Sequence, residues 1–268
     1  MKDRFDLPHV LEPYREQLAK TMKPYINITT RKRKTNLRES KFGGNPYFPK
    51  ELDYPKDLEG ENMRLLAQIN FSELPTFEGF PESGILQFFI SPHDDVMGID
   101  FDEMTNQSYF KVLYHEEIVQ DDEKLLENVG NYKINEEFDF PIEYELSLSF
   151  DIEQEPISCE DYRVEDQLDA TIDELQDEEL HGEDLWEVYF EHFFGEGHKL
   201  GGYPYFTQND PREGEKRYKD HEILLLQIDT EDDKGIMWGD AGVANFFIKK
   251  EDLEKRNFTN VLYNWDCH

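Results

Sequence analysis

The chain has 268 residues and carries 61 acidic against 28 basic side chains, a formal net charge of −33 at neutral pH. That charge repels phosphate backbones and argues against a nucleic-acid binder. Hydrophobic residues at 37% and aromatics at 14% are enough for a packed interior, so the polarity belongs to a surface and not to a disordered chain.

The N-terminus, Met1 to His9, is charged where a secretory signal is apolar, and no run approaches the roughly 20 apolar residues of a membrane span. Cys159 and Cys267 sit in no CxxC or metal spacing, so free thiols in a reducing, cytosolic compartment are expected. Val10, Leu11, Tyr14, Leu18 and Met22 recur at three or four residues between Pro8 and Pro24, which predicts an amphipathic helix over 8–23. Ile26 to Lys34 alternates as a strand does. The basic stretch Arg31 to Lys34, Arg38 and Lys41 reads as a solvated strand or internal charge partners, with a phosphate or nucleotide site as the sharper alternative. Strands follow over 64–71, 84–91 and 109–115, each bounded by Pro, Gly or acidic turn residues. Tyr144, Leu146, Leu148, Phe150 and Ile152 alternate with polar residues, the cleanest strand pattern in the chain. From 160 to 181 the pattern turns helical and acidic around Leu168, Ile172 and Leu175, and its dense carboxylates, Asp173, Glu174, Asp177, Glu178 and Glu179, should raise one another's pKa. A second helix runs from Leu185 to Phe193 and stops at Gly195 and Gly197. Strands near 222–229, 243–249 and 259–264 and a short helix at 250–255 complete the chain. Without a regular βαβ alternation, the fold class is α+β with mainly antiparallel pairing.

Four blocks occur twice in one order. Lys41-Phe-Gly43-Gly44-Asn-Pro46-Tyr47-Phe48 returns as Lys199-Leu-Gly201-Gly202-Tyr-Pro204-Tyr205-Phe206; Leu65-Leu-Ala-Gln68-Ile69 as Leu224-Leu-Leu-Gln227-Ile228; Gly84-Ile-Leu-Gln-Phe88-Phe89-Ile90 as Gly242-Val-Ala-Asn-Phe246-Phe247-Ile248; and Val112-Leu-Tyr114 as Val261-Leu-Tyr263. The first three blocks keep one spacing to within a residue and the last falls short of it, as in an old duplication with insertions and deletions. Two pseudo-symmetric copies of a mainly antiparallel β unit are expected, flanked by helices: an N-terminal helix and strand over 1–40, copy one over 41–117, an acidic insert with a strand and helices over 118–197, and copy two over 198–268, all in one compact unit.

Gly43, Gly44 and Pro46, with Gly201, Gly202 and Pro204, suit a turn needing positive φ; paired glycines also bare N–H groups for an anion, although no Lys-Ser/Thr or GxGxxG accompanies them. Gln68 and Gln227, inside apolar strands, must either tie neighbouring backbone or face a shared cleft. Glu82 and Asp240 precede the repeated glycine by two positions and fit either turn caps or a carboxylate pair for acid/base or metal work. Asp229 to Asp240 fails the calcium-loop pattern at its glycine and at its last position. His198 stands alone, most simply as a hydrogen-bonded structural residue. No HExxH or Gly-x-Ser-x-Gly is present, so no catalytic, metal or cofactor residues are assigned. If the seam between the copies holds a ligand, its candidate cleft is Gln68, Glu82, Gln227, Trp238, Asp240 and Trp265.

These blocks, with Pro81-Glu-Ser-Gly84-Ile-Leu-Gln-Phe-Phe89 and Met237-Trp-Gly-Asp240 ahead of Asn245-Phe-Phe247, resemble the YwqG-like family of bacterial proteins of unknown function, from about residue 30 to Asp266. The resemblance implies a duplicated α+β domain with its sheets closing on a pseudo-barrel, and brings no catalytic residues. Charge then leads the functional expectation: a non-enzymatic acidic binding protein for a basic protein partner, as an immunity-type protein would be, with its surface mostly from Glu160 to Glu191. The alternative is a small-molecule binder or hydrolase at the seam.

Overall fold

The computed structural model describes residues 5–127, 129, 140–168, 171, 175, 179–180 and 183–268. Pro13 interrupts the N-terminal amphipathic segment, because its ring occupies the site of a helical N–H donor. A 3₁₀ turn over His9–Tyr14 therefore leads into α1, Arg15–Thr21, in place of one helix over 8–23. The periodic apolar face survives the break: Val10, Leu11, Tyr14 and Leu18 are all buried.

The strands follow as β1 (Lys23–Lys32), β2 (Lys41–Phe42), β3 (Arg64–Asn70), β4 (Ile85–Ile90), β5 (Phe110–His115) and β6 (Leu146–Glu155). Helix α2 (Val164–Leu168), the short pair β7 (Glu179–Leu180) and β8 (Glu183–Asp184), and α3 (Leu185–His192) come next. Then come β9 (His198–Gly201), α4 (Pro211–Gly214), β10 (Ile223–Asp229), β11 (Val243–Ile248), α5 (Lys250–Glu254) and β12 (Leu262–Asp266). Residues 171 and 175 are also helical, while Ile172 and the carboxylates Asp173, Glu174, Asp177 and Glu178 lie outside the described residues.

Ten strands form one antiparallel sheet in the order β12-β11-β10-β9-β1-β6-β2-β3-β4-β5. The β1–β6 ribbon occupies its centre, so the segment between the two sets of repeated blocks supplies a central strand. On either side of the ribbon, four strands pair in the same sequence and with matching registers: Lys41 opposes Gln68 as Lys199 opposes Gln227, and each set shifts register at one bulge, Leu65/Ala67 or Leu224/Leu226. The last block differs. Phe88 pairs with Val112, but Phe246 pairs with Tyr263, so the register sets Val112 against Tyr263 and not against Val261. The slip is two residues, which keeps side chains on the same face and leaves the apolar pattern intact.

The sheet curls into a half-barrel. Strands β4 and β11 stand next to its opposite ends, yet the rings of Phe88 and Phe246 are 4.7 Å apart, and Phe110 of β5 lies 5.1 Å from Tyr263 of β12. One core cluster draws on both flanks and on the central ribbon. The segment between β4 and β5 crosses the β12 edge: Tyr263 N donates to Met104 O at 3.0 Å and Trp265 Nε1 to Val96 O at 2.8 Å. Gln107 fastens the two ends, accepting from Val112 N in β5 at 3.0 Å and donating to Phe258 O ahead of β12 at 2.8 Å. An exposed edge that would invite strand addition is thereby covered.

A second cluster packs the N-terminal segment against α2 and α3 through Leu11, Leu18, Leu168, Leu185 and Tyr189. Beneath the start of α2, Arg212 is fully buried, with Asp210 at 2.6 Å and Asp161 at 3.5 Å, and its guanidinium lies 4.0 Å from the Phe247 ring centroid. Among the described residues no helix is long and apolar enough to cross a membrane.

Candidate functional site: two glycine turns over buried lysines

All four paired glycines take positive φ: 62° and 73° at Gly43 and Gly44, 72° and 68° at Gly201 and Gly202. This is the left-handed backbone that a side chain makes costly. Two residues ahead of each pair stands a lysine that is only 1% exposed. Lys41 Nζ donates to Asn36 O at 2.6 Å and Asn45 O at 3.1 Å; Lys199 Nζ donates to Glu155 at 2.7 Å and Tyr203 O at 3.1 Å. Asn45 and Tyr203 each directly follow a glycine pair, so each ammonium pins its own turn. Burial pulls Lys41 down to about 8, against the opposing charge of Glu145, and lowers Lys199 against that of Glu155.

Strand β6 serves both turns. Glu145, just before its start, accepts from Thr35 N and Oγ1 at 2.7 Å each; Glu155, its last residue, accepts from Tyr203 N at 2.8 Å. A Cβ on Gly44 would stand 2.5 Å from Glu145 Cγ, and one on Gly202 would stand 2.3 Å from Glu155 Oε1. Each second glycine is thus covered by a carboxylate of the chain itself, and at the second turn that carboxylate takes the N–H an external anion would use.

The two glutamines complete the turns. Gln68 Oε1 accepts from Tyr47 N, and its Nε2 donates to Leu37 O and Glu39 O, all at 2.8 Å. Gln227 Oε1 accepts from Tyr205 N, and its Nε2 donates to Gly195 O and Gly197 O, again at 2.8 Å. Pro46 and Pro204 immediately precede the donating tyrosines. Both amides therefore tie backbone and have no group left for a ligand.

The flanks differ one layer out. Gln87 donates to Tyr47 O and Gln68 Oε1, while its own Oε1 meets His115 Nε2 at 2.8 Å. Asn245, a methylene shorter, reaches only Tyr205 O at 2.7 Å and leaves its buried Oδ1 without a partner. The register puts Asp266, an acceptor, where His115 stands in the other flank. His198 is structural: its Nδ1 accepts from Asp229 N at 3.0 Å, which leaves the proton on Nε2, 3.3 Å from Glu231. Hydrogen bonds from His198, Thr30 and Lys234 pull Glu231 down to about 2.

The six residues proposed to line a cleft do not converge. Gln68 and Gln227 are buried in separate networks. Trp238 is fully buried and meets half-buried Trp265 at 6.2 Å, whereas Glu82 and Asp240 stand exposed at turns. The seam where the sheet ends approach is filled by rings, including Tyr114 against Phe258 at 5.3 Å. Among the described residues, surface cavities of about 400, 430 and 310 Å³ are lined by other residues. The basic stretch is engaged within the chain at four positions: Lys32 over the Tyr144 ring, Arg33 on Glu39, Arg38 on Asp122, and Lys41 beneath its turn. Sequence reasoning weighed Lys41 only within the basic stretch and passed over Lys199 and both glutamates as site members. The lysines had a signal, a basic residue two places before both glycine pairs; Glu145 and Glu155 had none, since they precede and end a strand outside the repeated blocks.

These observations define an α+β protein built on one curled antiparallel sheet, whose repeated polar residues are engaged in holding its own turns. Residues 40–267 match the family model described as a domain of unknown function (DUF1963), and the chain belongs to that family. No curated protein matches it.

Proposed function

We propose that this is a non-enzymatic acidic binding protein for a basic protein partner, of the kind that neutralises a basic toxin. The observation carrying this reading is where the cations go. Against a net charge of −33, Lys41, Lys199 and Arg212 are sealed inside, while Arg33, Arg38, Arg163, Arg217 and Lys234 lie against carboxylates of the chain. The outward field is left one-sided, which accelerates encounter with cationic partners and rejects anionic ones. Cys159 and Cys267, both unpaired, support a reducing, cytosolic setting. Affinity capture from native lysate at low salt, with the full chain as bait, should recover a protein of pI above about 9 that about 0.5 M salt releases. Recovery of acidic proteins alone, or of none, would count against the proposal.

We also infer that the two flanks descend from one duplicated unit of the YwqG-like kind. The support is the repeated lysine–turn–glutamine circuitry and the shared bulge. Superposing β2–β5 on β9–β12 should bring Gly43 onto Gly201, Gln68 onto Gln227 and Phe89 onto Phe247; a mismatch in strand direction or register at those pairs would sink it.

A further inference from the structure

The 400 Å³ cavity lies where the N-terminal segment, the ends of β1 and β6, and the chain leaving α3 meet. Its lining combines aromatic groups, Tyr25, Phe193 and Phe194, with the carboxylates Glu155, Glu191 and Glu196. We propose that it receives one lysine or arginine side chain of the basic protein partner, an inference that rests on the reading above.

Three separate features favour a cation there. Ring faces attract cations through their quadrupole, and Tyr25 already holds one from within, with Lys199 Nζ 4.8 Å from its centroid. The cavity also takes in the C-terminal end of α3, where helix carbonyls present partial negative charge; Glu191 and His192 are its last residues. Finally, burial raises the pKa of Glu196, with Asp229 adding to it, as for a carboxylate that no cation of the chain balances. The 310 Å³ cavity is acidic too, but three of its four carboxylates are occupied: Asp57 accepts from Glu59 N, Glu61 N and Ser91 Oγ, Asp94 from Gly98 N, and Glu59 from Tyr109 OH. Charge alone does not separate the two cavities; with Glu155 held by Lys199 and Tyr203, it is the unengaged pair Glu191 and Glu196 and the three rings, against the single Tyr109, that do.

The probe is acetyl-hexaarginine amide, titrated calorimetrically at low salt into the full chain. The test variant is Glu191→Gln/Glu196→Gln, and the control is Glu251→Gln/Glu254→Gln at the 430 Å³ cavity, which removes the same formal charge. Exposed ion pairs and cation–ring contacts of ordinary strength predict a loss of about five- to tenfold at the test site and under about twofold at the control. In the unmodified chain, the His192 ring resonances should shift with peptide more than those of His93, which lines the 310 Å³ cavity; this readout does not depend on any variant folding. Equal losses in the two variants, or a larger shift at His93, overturn the site and leave the basic-partner reading standing. No peptide binding by the unmodified chain overturns both.

Discussion

Gln68 and Gln227 each satisfy one buried N–H and two part-buried backbone carbonyls, so replacing either by leucine leaves three polar groups without their partner. Each such group costs about 1–3 kcal/mol, and Gln68→Leu and Gln227→Leu should each lose about 3–5 kcal/mol in urea unfolding. Asn245→Leu, which removes one made bond and an acceptor already orphaned, should lose clearly less. Equal losses at the three positions would mean that the amides are not the fasteners of the turns. Arg212 makes a sharper case, because deleting a buried cation leaves Asp210 without its counter-charge, beside an Asp161 that keeps only Arg163. Arg212→Met should cost about 3–5 kcal/mol, and Asp210→Asn in the same chain should recover part of it. A double variant less stable than the single one would refute that account. The glutamines were legible in the sequence as buried amides needing partners, since an isolated polar residue in an apolar strand has few other options. Arg212 was not, because its partners lie two and about fifty positions away and no periodicity marks them.

At the scale of elements, strand pattern and turn chemistry carried most of the fold. The alternation over 144–152 marked β6, and the apolar runs of the repeated blocks marked β3, β4, β10 and β11 to within about a residue at each end. The terminal strand was misplaced: expected near 259–264, β12 runs Leu262–Asp266, because Tyr263 and Trp265 are held by the segment between β4 and β5, whose contacts are long-range. The curl of the sheet was equally hidden in local pattern, since it depends on rings from opposite ends meeting. The glycine pairs were legible because positive φ has few substitutes. Gly202 should tolerate no side chain, its Cβ meeting both Glu155 Oε1 at 2.3 Å and Tyr25 Cβ at 2.7 Å, whereas Gly60, also at positive φ, faces open space. Gly60→Ala should cost about 1 kcal/mol for backbone alone, and Gly202→Ala at least about twice that. Comparable melting temperatures for the two variants would show that Glu155 moves aside freely and does not brace the turn.

For the whole molecule, charge governs how stability depends on pH. Burial raises the pKa of Asp229, Asp266, Glu160 and Glu196, with neighbouring carboxylates adding to it at Glu160 and Glu196. A raised carboxylate holds its proton longer in the folded chain than in the unfolded one, so the unfolded state binds fewer protons in that window and stability grows as pH falls into it. Glu231 works in the opposite sense: held down to about 2 by His198, Thr30 and Lys234, it contributes stability above its ordinary 4.5 that is lost as pH falls towards 2. Asp161 acts in the same direction as Glu231: burial opposes its ionisation, but Arg163 and Arg212 prevail. On the alkaline side, Lys23 and Lys41 are lowered by burial from 10.5 to about 8, so the unfolded chain binds more protons between those values and stability gains there. Tyr203 and Tyr205, raised by burial from 10 to about 12, reverse that gain above pH 10. Between pH 7 and 5 the raised carboxylates and the relief of a −33 charge act together. Calorimetric melting temperatures should therefore rise from pH 7 to about 5 and fall again below about 4, and raising salt from about 20 to 300 mM should stabilise the protein more at pH 7 than at pH 5, where less repulsion remains to be screened. A melting temperature that falls on mild acidification and ignores salt would mean that the surface carboxylates are already neutralised by partners, and the outward acidic field on which the binding proposal depends would not exist.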